Sequence, residues 1–207
     1  MIEPAADVTI DSEDITLARS IDEFEGYVNP HAGRIAGLAD AIAERFALSP
    51  HDRETLKKAA LVHDLGEMIM DRDYVKADRT LTARERLDLQ RHPVIGEQEA
   101  SKRGYSRAVQ QLVRWHHEWW NGDGYPDRLE RNAIPLGARI LRVCDTYVAL
   151  TDARPYSMSV TSVEAKRYLT EWAGLEFDPR IVFIFLELEG LASLESSADD
   201  IPGPVSF

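Results

Sequence analysis

Residues 59–66 read Ala59-Ala60-Leu61-Val62-His63-Asp64-Leu65-Gly66, and the reading of this stretch decides the fold. Four apolar residues run directly into a histidine and an aspartate. Upstream, Ser49, Pro50 and Asp52 form a helix start: a hydroxyl cap, proline at the first helical position and an acid in the first turn. Leu56, Ala59 and Ala60 then recur at helical spacing. The expectation is a helix that carries His63 and Asp64 into the interior at its end, followed by an irregular polar connection over 66–80.

Helical periodicity continues outward on both sides. In 31–46, Ile35, Leu38, Ala39, Ile42 and Phe46 recur at three- and four-residue steps. An additional N-terminal helix is expected over 12–28. Thr82 with Glu85, and Thr161 with Glu164, have the spacing of capping boxes. Asp178-Pro179 opens a last helix rich in Ile, Val, Phe and Leu. No alternating run is bounded by hairpin turns, so the expected class is all-α. Asn121-Gly122-Asp123-Gly124-Tyr125-Pro126 is a dense turn signal within 120–135.

The chain has 207 residues, enough for one domain with a sizeable core, and a net charge of −12. That charge opposes non-specific binding to a nucleic-acid polymer or an anionic membrane. It does not oppose an anionic substrate, because bound divalent ions reverse the field inside a pocket. No apolar stretch is long enough to span a bilayer, and the first residues lack the apolar centre of a signal peptide, so a cytoplasmic location is expected. Cys144 is the only cysteine. It rules out an intrachain disulfide and a cysteine-based zinc finger, and reads as a core filler beside Leu141, Val143 and Tyr147.

Five of the six histidines fall in a pattern that chemistry on metal-activated water would require: His31, His63, His92, His116 and His117. Asp64 and Asp145 complete the set. Imidazole and carboxylate suit a borderline divalent metal, and seven candidates exceed the needs of one ion. The expected partition gives His31, His63, Asp64 and Asp145 to one ion, and Asp64, His92, His116 and His117 to a second, with Asp64 bridging. His116 and His117 can reach one ion only if their helix loosens at its end, because neighbours on an α-helix lie about 100° apart. Asp145 sits in an apolar helix, where an unpaired carboxylate would be costly; Arg142 or Arg139 could hold it instead of a cation. His51-Asp52 is a second His-Asp pair, read as an ordinary first turn.

Taken together, these motifs resemble the HD-GYP branch of the HD metal-dependent phosphohydrolase superfamily. The resemblance is carried by His31 in Pro30-His31-Ala32-Gly33-Arg34, by Ala59–Gly66, and by His92-Pro93-Val94-Ile95-Gly96. It continues through His116-His117-Glu118 and Gly122-Asp123-Gly124-Tyr125-Pro126, then Asp145, Leu150-Thr151-Asp152-Ala153-Arg154-Pro155-Tyr156 and Phe177-Asp178-Pro179. The resemblance implies an HD-type helical bundle over 27–190 with a central site of two or three metals, expected here to be binuclear; the partly helical extension over 1–26 and the disordered tail over 191–207 are read from local pattern and composition. With two divalent ions (iron, manganese, zinc or nickel), the resemblance implies hydrolysis of cyclic di-GMP by a hydroxide activated between them. Asp64 and Glu67 take catalytic positions, and Arg154, Tyr125 and Pro126 take positions near substrate. A protein partner at the Gly-Tyr-Pro loop and a homodimer fit the same resemblance.

Three positions depart from the family's pattern. Many members continue the His-Asp motif as Asp-x-Gly-Lys, with the lysine near a substrate phosphate; Glu67 stands there. Where many members have a second basic residue after Arg-Pro-Tyr, this chain has Ser157. Members with three metals place a glutamate one helical turn before the first histidine; here the residue is Tyr27, which favours two ions. Lysine to glutamate swings the local charge by two units, a repulsion on the order of 1 kcal/mol or more near a dianionic dinucleotide. Arg154 can still grip a phosphate through its fork of donors. Three readings therefore stay open: a cyclic di-GMP phosphodiesterase, a phosphohydrolase for another nucleotide or phosphoester, and a receptor module that binds metal or nucleotide without turnover.

Overall fold

The computed structural model describes residues 9–77, 79–152 and 159–198, with side chains as far as residue 190. Among the described residues the protein is all-α: ten α-helices, two short 3-10 turns, and a single isolated bridge between Ala173 and Phe177. None of these helices is long and apolar enough to cross a membrane.

Helix α1 (Ser12–Glu25) starts at a capping box between Asp11 and Asp14. It ends earlier than the sequence expectation, because Gly26 turns left-handed at φ 84°. Tyr27 then folds back so that its ring stacks on His31, centroid to centroid 3.7 Å. Helix α2 (His31–Arg45) has no side-chain cap of its own. Asp22 of α1 supplies one from outside, accepting a hydrogen bond from Ala32 N at 3.1 Å. The first helix therefore fixes where His31 enters the fold.

Helix α3 (Pro50–Val62) is capped by Ser49, which accepts from Asp52 N, as its sequence requires. It packs on α2 through small residues: Ala36, Ala39 and Ala43 of one helix and Ala59 and Ala60 of the other are all buried. Small side chains let the two axes approach closely and bring His31 and His63 to the same depth.

Residues 66–80 differ from the expected polar connection. They contain helix α4 (Leu65–Met70) and a 3-10 turn, Asp73–Lys76. Leu65 and Met70 are buried, which gives this segment a core anchor. Gly66 makes its course possible: a Cβ there would lie 2.0 Å from the His92 carbonyl oxygen. The backbone of α4 thus rests directly on that of α6, and only glycine permits it.

Helix α5 (Ala83–Leu89) opens on the Thr82/Glu85 capping box. Helix α6 (His92–Lys102) begins at His92 itself, and α7 (Arg107–Trp115) stops just before the histidine pair. Helix α8 (Leu136–Thr151) runs through the middle, burying Ile140, Leu141, Val143, Cys144 and Val148. Each such fully buried aliphatic side chain contributes about 1.5–3 kcal/mol. Helices α9 (Ser162–Glu171) and α10 (Pro179–Ala198) close the bundle, with Leu169, Ile181 and Phe185 in the core. The helical backbone of α10 continues to Ala198, past the point where the sequence expectation began a disordered tail; residues 199–207 lie outside the described residues.

Candidate metal centre

All seven residues expected as ligands converge at the centre of the bundle. They form two groups whose ligand atoms lie within 4.8 Å of one another: His31, His63 and Asp145, and Asp64, His92, His116 and His117. Asp64 stands between them. Its Oδ2 is 3.0 Å from His63 Nε2, while its Oδ1 is 3.2 Å from His92 Nε2 and 3.5 Å from His116 Nε2. One carboxylate thus turns an oxygen toward each group. Asp145 Oδ1 lies 3.8 Å from His63 Nε2 and 3.9 Å from His31 Nε2.

The local backbone aims the rings. His63, His92 and His116 each donate from Nδ1 to the carbonyl three residues earlier: Ala60 at 2.9 Å, Leu89 at 2.8 Å and Val113 at 2.7 Å. All three sit at helix ends, where such carbonyls are within reach of the side chain. His31 donates from Nδ1 to Asp152 Oδ2 at 3.2 Å, and Asp152 is also paired with Arg34. Four histidines thus turn Nε2 inward with the opposite nitrogen tied down, the arrangement that orients metal-binding imidazoles. His117 differs. Its Nδ1 accepts from Arg142 Nη1 at 2.8 Å, and Tyr125 stacks on its ring at 4.8 Å. The end of α7 at Trp115 releases the helical geometry, so the adjacent rings of His116 and His117 face one region, 4.1 Å apart.

The donor set fits divalent cations. His92 Nε2 and His116 Nε2 face each other at 3.3 Å in a buried site. His63 Nε2 and Asp64 Oδ1 are buried and make no hydrogen bond of usable geometry, despite their short distances to neighbours. Buried polar atoms of this kind are costly without a partner, and a cation would satisfy them together. The protonation tendencies of the metal-free protein agree. Burial opposes charge on His63, but Asp64 and Asp145 outweigh it and hold its pKa at about 10. Burial also works against ionised Asp64, yet His63, His116 and His92 keep its pKa well below the usual carboxylate range. Burial depresses His31 to about 4 and His117 well below its ordinary value, the latter aided by His116 and Arg142. Protons on His63 stand in for the charge that cations would bring.

Glu67 lies inside the site. Its carboxylate is 3.7 Å from His92 Nδ1 and shares a third group with Asp64 and Glu25. Burial, then Asp64, raises its pKa to about 7. Glu25 is only 2% exposed and escaped the sequence reading, because no motif marks an acid on the last turn of α1. Tyr27 therefore does not leave this edge of the centre without an acid: Glu25, two positions earlier, supplies one. Asp152 and Glu176 were likewise unmarked as parts of the centre, whereas Arg142 was expected only as a partner for Asp145. Arg139 pairs with Asp178 at 2.6 Å, leaving Arg142 as the cation beside Asp145.

The Gly-Tyr-Pro loop is packed tightly onto the histidine pair. A Cβ at Gly124 would meet Trp119 N at 2.2 Å, and Glu118 accepts from Asp127 N and Leu129 N. Tyr125 is held against His117 and, edge-on, against His92. Pro126 lines the outer wall of a neighbouring groove. Trp115 is partly buried against the core and donates to Asp127 at 2.7 Å. Arg154 and Ser157 lie outside the described residues.

The fold and its paired His/carboxylate clusters define a helical protein with a centre built for metal. A family model described as "HD domain" matches residues 16–181, and the chain belongs to the HD domain family. It is 34% identical over 193 residues to the cyclic di-GMP phosphodiesterase response regulator RpfG of Xanthomonas campestris pv. campestris, covering 90% of this chain and 51% of that protein. It is 28% identical over 173 residues to the 3'3'-cGAMP-specific phosphodiesterase 2 of Vibrio cholerae, covering 83% and 33%. The crystal structure of a cyclic GMP-AMP-specific phosphodiesterase of V. cholerae, V-cGAP3, superposes with a TM-score of 0.70 at 22% identity, over 86% of this chain and 48% of that one. The chain spans about half or less of the length of these relatives. The HD resemblance and the all-α fold read from the sequence are both borne out.

Proposed function

We propose that this chain is the catalytic domain of a metal-dependent phosphodiesterase acting on cyclic di-GMP or a related cyclic dinucleotide. One observation carries the reading: Asp64 turns one oxygen to His63 and the other to His92 and His116, the disposition a bridging ligand needs. His31, His63, Asp64 and Asp145 would hold one divalent ion; Asp64, His92, His116 and His117 would hold the second. Such a pair supplies Lewis acidity to a phosphodiester and lowers the pKa of water toward neutrality.

The chain's own groups would then orient and confine the substrate. Asp152 fixes the His31 ring, and the three backbone carbonyls fix His63, His92 and His116. Tyr125 covers His117 and limits solvent on that side. Arg154, where the resemblance places it, would grip a phosphate. A cytoplasmic setting and a protein partner at the Gly-Tyr-Pro loop belong to the same proposal. A groove of about 370 Å³ beside Tyr125 and Pro126, lined by Leu87, Val94 and Ile95, supports such a partner.

A second reading is favoured by Glu67. A carboxylate within the site, beside Asp64, disfavours a dianionic dinucleotide relative to a smaller or less charged phosphoester. Metal analysis of anaerobically purified protein, followed by product chromatography, tests both. About two ions per chain, with linear dinucleotide or GMP released from cyclic di-GMP or 3'3'-cGAMP, supports the first reading. Turnover confined to other phosphoesters supports the second. Tight dinucleotide binding without any product would make the domain a receptor module instead.

A further inference from the structure

The five central histidines are sorted four and one by the atom that faces Nδ1. In His31, His63, His92 and His116 it is an acceptor oxygen. In His117 it is Arg142 Nη1, at 2.8 Å. A guanidinium carries five N–H donors and no lone pair, and does not lose its proton in proteins. His117 Nδ1 is therefore an acceptor, and the single proton of the neutral ring sits on Nε2. Both ring nitrogens are then engaged, and His117 has no lone pair left for an ion. In the other four, Nδ1 is a protonated donor and Nε2 is the nitrogen turned toward the ion sites.

Arg142 is well anchored in this position. Its side chain is 15% exposed and pairs through Nη2 with Glu176, itself 3% exposed and also accepting from Tyr168 Oη at 3.2 Å. Nη1 reaches Asp145 Oδ2 at 3.5 Å, leaving Asp145 Oδ1 toward His31 and His63. The guanidinium thus takes the lone pair of a residue in one group and only the outer oxygen of a residue in the other.

We infer that Arg142 competes with a cation for His117, so that the two metal sites fill unequally. This rests on the two-cation reading above. The site built on His31, His63 and Asp145 fills first. The site built on Asp64, His92 and His116 fills second and more weakly, and gains His117 only when Arg142 releases Nδ1, so that Nδ1 itself or, once the ring proton has moved to Nδ1, Nε2 offers a lone pair. Glu176 sets the strength of the competition, because it both neutralises Arg142 and holds it in place.

Equilibrium dialysis of the metal-free full chain against Mn²⁺, with metal counted by mass spectrometry, tests this. Wild type is expected to show two classes of site, at least ~10-fold apart. R142Q should tighten the weaker class by about 10-fold or more and leave the stronger unchanged. The double variant R142M/E176M, which removes the buried pair together, should do the same and guards against a misfolded single variant. E176Q should weaken the second class. ¹⁵N NMR of the metal-free wild type should show His117 as the one histidine of the centre lacking an Nδ1 proton. Two wild-type sites of equal affinity, a weaker second site in R142M/E176M, or an Nδ1 proton on His117 would each overturn the inference while leaving the two-cation reading intact. At most one bound ion in every protein would overturn both.

Discussion

The two halves of the centre are built on helices buried to different degrees. His31, His63 and Asp145 come from the start of α2, the end of α3 and the middle of α8, the most deeply packed elements of the bundle. His92, His116 and His117 come from the start of α6 and the end of α7, next to irregular loops. The first half borrows rigidity from the core, and its one long-range tie is a buried carboxylate, Asp152. The second half has the same kind of local carbonyl bond that His63 makes, and adds a guanidinium. Ligands carried on heavily buried helices rearrange less easily than ligands on sparsely buried ones. The first half is therefore suited to hold an ion, and the second to exchange one.

Asp64→Asn breaks the comparison outright, because it disables the residue the halves share. Activity of the metal-loaded protein should fall by more than ~100-fold, beyond the usual cost of losing an outer-shell partner. Metal analysis should show both sites weakened; loss at one site only would mean that Asp64 does not bridge. Asp152→Asn sharpens the contrast. It should weaken the His31 site by about 10–100-fold and spare the other, as read by Mn²⁺ dialysis. Equal weakening of both would show that the halves are not independently supported.

A third prediction uses pH. In the metal-free protein Glu67 has a pKa of about 7, above its ordinary value. The stability it contributes is fully present below about 4.5 and is lost as pH rises through about 7. His31, depressed to about 4, acts in the opposite sense: its contribution is present above about 6.5 and is lost as pH falls toward 4. Thermal melts in chelator should show Glu67→Gln matching wild type near pH 4 and becoming the more stable of the two by pH 8. Parallel curves across that range would remove Glu67 from the buried cluster. The smallest effect is expected from Thr82→Ala. Helix α5 buries no residue, so its cap matters, and about 1 kcal/mol of stability should be lost. The Leu89 carbonyl that aims His92 lies at its far end, so any change in metal affinity should fall on the second site alone.

Much of the fold and of the centre is legible in the amino-acid sequence. The caps at Ser49, Thr82 and Thr161, the start of α10 and the seven convergent residues are local or compositional signals, and each lies where the sequence places it. The segment after His63-Asp64 departs from expectation for a physical reason. Six residues are too few to display helical periodicity, and Gly66 looks like a breaker when it is in fact a contact. Its missing Cβ admits the His92 carbonyl, a partner 26 positions away that no local pattern announces.

The amino-acid order alone determined most of the helices, the local caps and the chemistry of the donors, because backbone propensity and ligand type belong to each residue and its near neighbours. Tertiary packing decided which nitrogen of each imidazole turns inward, how Asp64 divides its oxygens, and that Glu25, Arg142, Asp152 and Glu176 belong to the centre. Those choices depend on angles and distances of a few ångströms between helices far apart in the chain, and they are set only when the core closes around them.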